Sequence, residues 1–145
     1  LQVAADRIPN LTGMKFNSSD MYEYQRCVRV NNGQFDIPFG VDEFLPAGLA
    51  CGAVGAVGST YNYAAPLYHR LIDSFNRGDQ ADVAGCMDKV IAIIRVLVQY
   101  GGVAAGKVAM KLHGIDVGDP RRPLRPMTEQ QKQDALQAFR KADFL

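Results

Sequence analysis

Leu11-Thr12-Gly13-Met14-Lys15-Phe16-Asn17-Ser18-Ser19-Asp20-Met21 is the stretch that decides the fold. Its first half is a short apolar run of the kind that forms a buried strand. Ser18, Ser19 and Asp20 then offer side-chain oxygens for a helix N-cap, and Glu23 adds a carboxylate in the first turn. Met21, Tyr24, Cys27, Val28 and Val30 follow at a mostly helical spacing, until Asn31-Asn32-Gly33 ends the helix. A strand handing over to a capped helix is the start of a βαβ unit.

The pattern recurs downstream. Phe35-Asp36-Ile37-Pro38-Phe39 predicts a second strand, weakened by a proline that cannot donate to a ladder. Gly40-Val41-Asp42-Glu43 predicts a loop, and 44–51 a short helix closed by Gly52. Residues 53–58 predict a third, very short strand of small residues, then a loop at Ser59-Thr60-Tyr61-Asn62 and a helix over 65–76 closed by Gly78. Three strands alternating with three helices imply parallel pairing through right-handed crossovers. Beyond Gly78 the alternation stops. Residues 80–100 form one long helix, apolar on most faces, and 103–113 another. The proline-bearing loop Asp119-Pro120-Arg121-Arg122-Pro123-Leu124-Arg125-Pro126 leads to Thr128, which opens the last helix with Gln131 as its capping-box partner and Leu136 and Phe139 as core anchors. The expected organisation is an α/β region over 1–77 and a three-helix extension over 78–145. Leu1-Gln2-Val3-Ala4-Ala5-Asp6-Arg7-Ile8 reads as the end of a helix that begins upstream, so a piece of a longer protein is expected.

The chain has 145 residues, 48% hydrophobic and 21% charged, with a net charge of +1. That suits a globular domain with one core of moderate size. Basic residues are scattered; the local run Arg121-Arg122 with Arg125 sits in a turn, where pairing with carboxylates or helix ends outranks phosphate binding. Without a basic stripe, no nucleic-acid partner is expected. Cys27, Cys51 and Cys86 are far apart and lack any CxxC or Cys/His spacing, which predicts buried free thiols in a reducing compartment and no zinc site. The most apolar run, 90–98, is too short for a bilayer and contains Arg95, and no secretory signal pattern is read. A cytoplasmic protein with no membrane partner is the resulting expectation.

Chemistry-bearing residues collect at the C-terminal ends of the expected strands: Lys15 after the first, Asp42 and Glu43 after the second, Ser59 and Thr60 after the third. In parallel βα folds that end holds the active site. A lysine at the end of an apolar strand is desolvated, which favours the neutral amine that attacks a carbonyl; the competing reading is a lysine that snorkels to solvent. Asp42 and Glu43 are neighbours and point different ways, so they form either sugar-hydroxyl acceptors or ordinary helix N-terminal acidity. Gly40 before them lets a ligand approach the backbone. Gly52, Gly55 and Gly58 match neither a Walker loop nor GxGxxG and suit tight strand packing. His69 and His113 stand alone in helical patterns, the setting of a core or surface histidine.

Leu11-Thr12-Gly13-Met14-Lys15-Phe16, Phe39-Gly40-Val41-Asp42-Glu43 and Gly55-Ala56-Val57-Gly58-Ser59-Thr60-Tyr61-Asn62, with the spacing between them, resemble the N-acetylneuraminate lyases (sialic acid aldolases) of the dihydrodipicolinate synthase family. The resemblance runs through nearly the whole chain in element order. It implies a partial (β/α)8 barrel, strands six to eight with their helices, followed by the three-helix extension. A complete barrel takes roughly 250 residues. It implies a Schiff-base aldolase in which Lys15 forms an imine with the 2-keto acid, no cofactor or metal is used, and sialic acid and pyruvate are the small-molecule partners. Gly40, Asp42, Glu43 and Ser59 match positions that bind the hydroxyl-bearing tail. Asn17 stands where many bacterial relatives carry a threonine that touches substrate, which makes it the weakest of these assignments. The Asp-Glu pair favours a sialic acid lyase over a dihydrodipicolinate synthase. The carboxylate-binding Ser/Thr loop and catalytic tyrosine of the family lie on strands outside this sequence, so the piece alone is expected to be inactive. A homotetramer is implied for the full-length protein. The alternatives are another pyruvate-class aldolase (a dihydrodipicolinate synthase or keto-deoxy sugar acid aldolase) and a non-catalytic sugar-acid-binding module.

Overall fold

The computed structural model describes residues 1–144 and divides the chain into two compact units, Leu1–Gly58 and Ser59–Leu145. The first holds helices α1 (Gln2–Arg7), α2 (Met21–Cys27) and α3 (Leu45–Ala50), with 3-10 turns at Val30–Gly33 and Asp42–Phe44. Between them run three extended segments, at 11–16, 35–40 and 53–57, joined in parallel with the middle one at the centre.

The sequence predicts three strands; among the described residues the pairing consists of isolated bridges, Gly13 with Asp36, Phe16 with Phe39, and Phe39 with Ala56. Between the first two segments Pro38 supplies the reason. Asp36 donates its amide to the Thr12 carbonyl (2.9 Å) and Met14 to the Asp36 carbonyl (3.0 Å). Two residues on, Phe16 donates to the Pro38 carbonyl (3.0 Å) and Gly40 to the Phe16 carbonyl (2.8 Å). The bond that would join the two pairs needs an amide hydrogen at residue 38, which proline lacks.

Alternation still decides what is buried. Phe16, Ile37 and Phe39 turn inward, and Tyr24 of α2 covers them. The Tyr24 ring lies 5.1 Å from both Phe16 and Phe39, tilted to one and edge-on to the other, and its hydroxyl donates to the Ile37 carbonyl at 3.0 Å. That hydrogen bond matters because a buried phenol without a partner is costly. Burial also pushes the Tyr24 phenol above its ordinary pKa, aided by the nearby Cys51 and Asp36. Helix α3 packs through Gly48, where an added methyl would meet the Phe39 ring at 2.7 Å.

Helix α2 starts where expected, with Asp20 accepting from the Glu23 amide at 3.0 Å, but it ends at Cys27, not Val30. Val30–Gly33 forms a separate 3-10 turn, in which Asn31 and Asn32 take left-handed backbone angles (φ 52° and 55°) that asparagine tolerates. Cys27 and Cys51 are half-buried and only Cys86 is fully buried, so the expectation of three buried thiols holds for one; burial pushes the Cys86 thiol up.

The second unit is helical: α4 (Tyr61–Arg77), α5 (Gln80–Tyr100), α6 (Val103–Ala109) running into a 3-10 turn at Met110–His113, and α7 (Glu129–Lys141). Gly78 in the left-handed conformation (φ 76°) ends α4, and Asp79 caps α5 by accepting from the Asp82 amide. Val83, Cys86, Val90, Ile93 and Leu97 form the buried stripe of α5, while Ile91 and Val98 are exposed. Helix α4 begins four positions before the expected 65. Pro66 sits inside it and Ala64 departs from helical angles (φ −127°, ψ 22°), so residues 61–63 form a first turn that leads into a kink. The Thr128–Gln131 capping box is present on both sides. Phe139 is fully buried, but its companion anchor is Ala135; Leu136 is only half-buried. Tyr63, Phe139 and Phe144 pack edge-on with centroids 6.2–6.4 Å apart.

Candidate functional site

The residues expected to carry chemistry divide between the two units. In the first, the close approach of the parallel segments brings Lys15, Asn17 and Gly40 together. A methyl group built on Gly40 would lie 2.4 Å from Lys15 Cε, 2.8 Å from the Phe16 carbonyl oxygen and 3.0 Å from Asn17 Oδ1. The lysine stem therefore crosses over the Gly40 backbone, and the fixed Phe16 carbonyl beside it is what bars a side chain at this position.

Asp42 follows at the start of the 3-10 turn and is buried, 6% exposed. Its carboxylate reaches the end of the third segment: a methyl on Gly58 would fall 1.5 Å from Asp42 Oδ1. Glu43, its neighbour, is exposed. The two carboxylates thus occupy unlike surroundings, as their adjacency in a tight turn dictates. Asn17 is exposed.

Lys15 is exposed, against the expectation of a desolvated amine. The first segment pairs on one side only, so nothing within the unit covers Lys15 or its half-open neighbour Met14, 38% exposed.

Ser59 and Thr60 belong to the second unit. Ser59 is exposed; its carbonyl accepts from the Asn62 side chain (2.9 Å) and amide (3.4 Å), which fixes its backbone to the first turn of α4. Thr60 is fully buried and donates to the Tyr68 hydroxyl at 2.6 Å, so it serves the packing of α4. Ser59 borders a cavity of about 340 Å³ whose walls include Asn62, Tyr63, Val103, Lys107 and Met110. Among the described residues no group of three or more His, Cys, Asp or Glu could hold a metal ion, and no helix is long and apolar enough to cross a membrane.

Two contacts here have no counterpart in local sequence pattern. His113 donates from Nε2 to the Tyr63 carbonyl at 2.8 Å, across fifty positions of chain. Lys107 donates to the Val117 carbonyl at 3.0 Å. Neither is foreshadowed by spacing, because each joins residues on different elements.

Comparison with known proteins places the chain in a family. The model of the dihydrodipicolinate synthetase family matches residues 3–142. The chain is 36% identical to N-acetylneuraminate lyase from Mus musculus over 97% of its own length and 45% of that protein's. Among solved structures it is 75% identical to Proteus mirabilis N-acetylneuraminate lyase, with a TM-score of 0.97 over 99% of this chain and 49% of that one. It is 59% identical to the lyase (sialic acid aldolase) from Aliivibrio salmonicida, again at a TM-score of 0.97, covering 99% of this chain and 48% of that one. The chain therefore spans about half the length of the relatives it matches.

Proposed function

We propose, from the premise that this chain belongs to the dihydrodipicolinate synthetase family, that it is the C-terminal part of an N-acetylneuraminate lyase whose Schiff-base lysine is Lys15. The observation that carries this reading is the crossing of Lys15 over Gly40, with Asn17 alongside and Asp42 buried at the next loop. It sets an amine beside a side-chain-free stretch of backbone, the geometry a ligand needs for close approach. The identities of 75% and 59% to two lyases support the choice of sugar acid over other keto acids.

In this reading the chain supplies strands six to eight of a (β/α)8 barrel over 1–77, and a helical extension over 78–145. The rest of the barrel covers Lys15 and strips it of water, which favours its neutral form. The amine attacks the C2 ketone of the open-chain sugar acid, and water leaves to give a protonated imine. The C3–C4 bond then breaks. Its electrons pass into the imine to form an enamine, while the C4 hydroxyl gives its proton to a base supplied by the rest of the barrel and C4 becomes the aldehyde carbon of the departing N-acetylmannosamine. Protonation of the enamine at C3 and hydrolysis of the imine release pyruvate and restore Lys15. The imine acts as the electron sink, so the scheme calls for no cofactor. Gly40, Asp42, Glu43 and Ser59 hold the hydroxylated tail, with Asn17 a further contact. The intact protein is cytoplasmic and tetrameric in this reading.

Borohydride reduction in the presence of pyruvate tests the scheme on the intact protein. The expected result is a stable adduct on Lys15 with loss of activity, while Lys15→Met forms no adduct and is inactive from the start. An adduct elsewhere, or none, overturns it. A panel of sugar acids and aspartate semialdehyde with pyruvate distinguishes a sialic acid lyase from other pyruvate aldolases.

A further inference from the structure

We infer that His113 is a positioning residue for the hydroxyl-binding end of this site, acting on Ser59 through the Tyr63 carbonyl; the inference rests on the function proposed above. Helix α4 is defective where it begins. Pro66 has no amide hydrogen, so the carbonyl four residues earlier, on Asn62, lacks its helical donor. Ala64 leaves helical geometry, and the first turn is closed by bonds to Thr60 from the amides of Tyr63 (3.2 Å) and Ala64 (2.9 Å). The Thr60 hydroxyl on Tyr68 and the Tyr61 ring against Tyr68 tie the start of this turn to α4; its other end, at the kink, is where a contact from another element adds a hold.

His113 supplies that hold from another element. It closes the 3-10 turn that follows α6, and its Nε2 donates to the Tyr63 carbonyl at 2.8 Å, the atom next to the kink. A carbonyl only accepts, so the ring nitrogen carries the proton. The turn so anchored also carries Asn62, whose side chain and amide both bind the Ser59 carbonyl. The relay from His113 to Tyr63, Asn62 and Ser59 is continuous, and Ser59, Asn62 and Tyr63 all border the 340 Å³ cavity. Packing reinforces it: the Tyr63 ring is within 3.5 Å of where a methyl on Gly106 of α6 would stand. Replacing the histidine would leave the cavity walls in place and loosen the one edge that bears a hydroxyl for substrate.

The experiment compares His113→Phe and His113→Gln in the intact protein. Phenylalanine keeps the ring volume without a donor; glutamine restores an N–H. The expected result is a KM for the sugar acid raised about fivefold to tenfold in His113→Phe, the range one lost hydrogen bond gives. Pyruvate-dependent borohydride trapping stays unchanged, and His113→Gln returns within about twofold of the parent. Amide hydrogen exchange at Tyr63 and Ala64 rises in the phenylalanine variant alone. An unchanged KM and exchange in His113→Phe overturns the inference. So does equal impairment of both variants, or a joint fall of trapping, kcat and KM that marks general loss of structure. If the parent protein forms no adduct at Lys15, the proposed function fails instead, and the exchange data still report on the tether.

Discussion

Gly40 and Gly58 stand where the functional groups pass closest to the backbone. At Gly58 the Asp42 carboxylate occupies the space a Cβ would take, at 1.5 Å from Oδ1 and 2.3 Å from Cγ. Aspartate is short, so relief requires moving the whole side chain or the turn that bears it. Gly55, three residues earlier on the same segment, has nothing within 4 Å of a Cβ. We therefore expect Gly58→Ala to destabilise the protein by about 1–3 kcal/mol, as overpacking does, and to weaken binding of the sugar acid by displacing Asp42. Gly55→Ala should do neither. Urea unfolding and KM for the two variants, side by side, check this; equal effects would mean that Asp42 does not depend on Gly58. The sequence displays both glycines in one small-residue segment without distinguishing them. Their difference lies in a contact with residue 42, which only the fold reveals. The same holds for Lys15. Its position at the end of an apolar run is legible, but its exposure in this unit follows from having a neighbour on one side only.

Among the elements, those with strong local signals were the readable ones. Helix α5 runs from Gln80 to Tyr100 as its pattern predicts, because Asp79 caps one end and Gly101, at φ 88°, closes the other. Helix α7 has its capping box for the same reason. The start of α4 and the end of α2 differ from the side-chain period: α4 takes in a first turn before its kink at Ala64, and α2 stops at Cys27, ahead of the left-handed Asn31 and Asn32. What joins α4 to α5 is electrostatic as well as apolar. Asp82 accepts from Arg70 and from buried Ser74, and Arg77 donates to Ser74 at 3.0 Å. The Arg70 guanidinium, followed by the Ser74 hydroxyl, holds the Asp82 carboxyl at about 2, below its ordinary 3.8. A folded pKa below the unfolded one means the stabilisation is complete above pH 3.8 and is lost as pH falls toward 2. Asp82→Asn should therefore lower stability at neutral pH, and its stability should vary less between pH 4 and 2 than the parent's. Thermal melts across that range decide it; parallel pH curves for parent and variant would assign the acid sensitivity elsewhere.

At the scale of the whole molecule, the parallel array in the first unit is open on both sides. The bonds to the middle segment use Thr12, Met14 and Phe16 on one flank and Gly55 and Val57 on the other. Successive residues of an extended chain point their amides and carbonyls to opposite sides. Gly13 and Lys15, and Val54 and Ala56, therefore direct theirs outward, and no backbone bond meets them among the described residues. Val54 is 90% exposed and Val57 51%, so apolar surface accompanies the unpaired edges. Such edges invite further strands. In the barrel proposed above they would be met by neighbouring strands, and the strand on the Lys15 side would remove the water that now reaches the amine. These two consequences of closure are linked, which makes them testable together. Expressed by itself, the 145-residue chain should self-associate as concentration rises, and Lys15 should form no borohydride-stable adduct with pyruvate. Supplying the remaining barrel segments in trans should reduce self-association and bring adduct formation with it. Sedimentation velocity and intact-mass analysis on the same samples read both. Adduct formation by the monomeric chain alone would refute the link, since it would mean that Lys15 reacts without a covering strand.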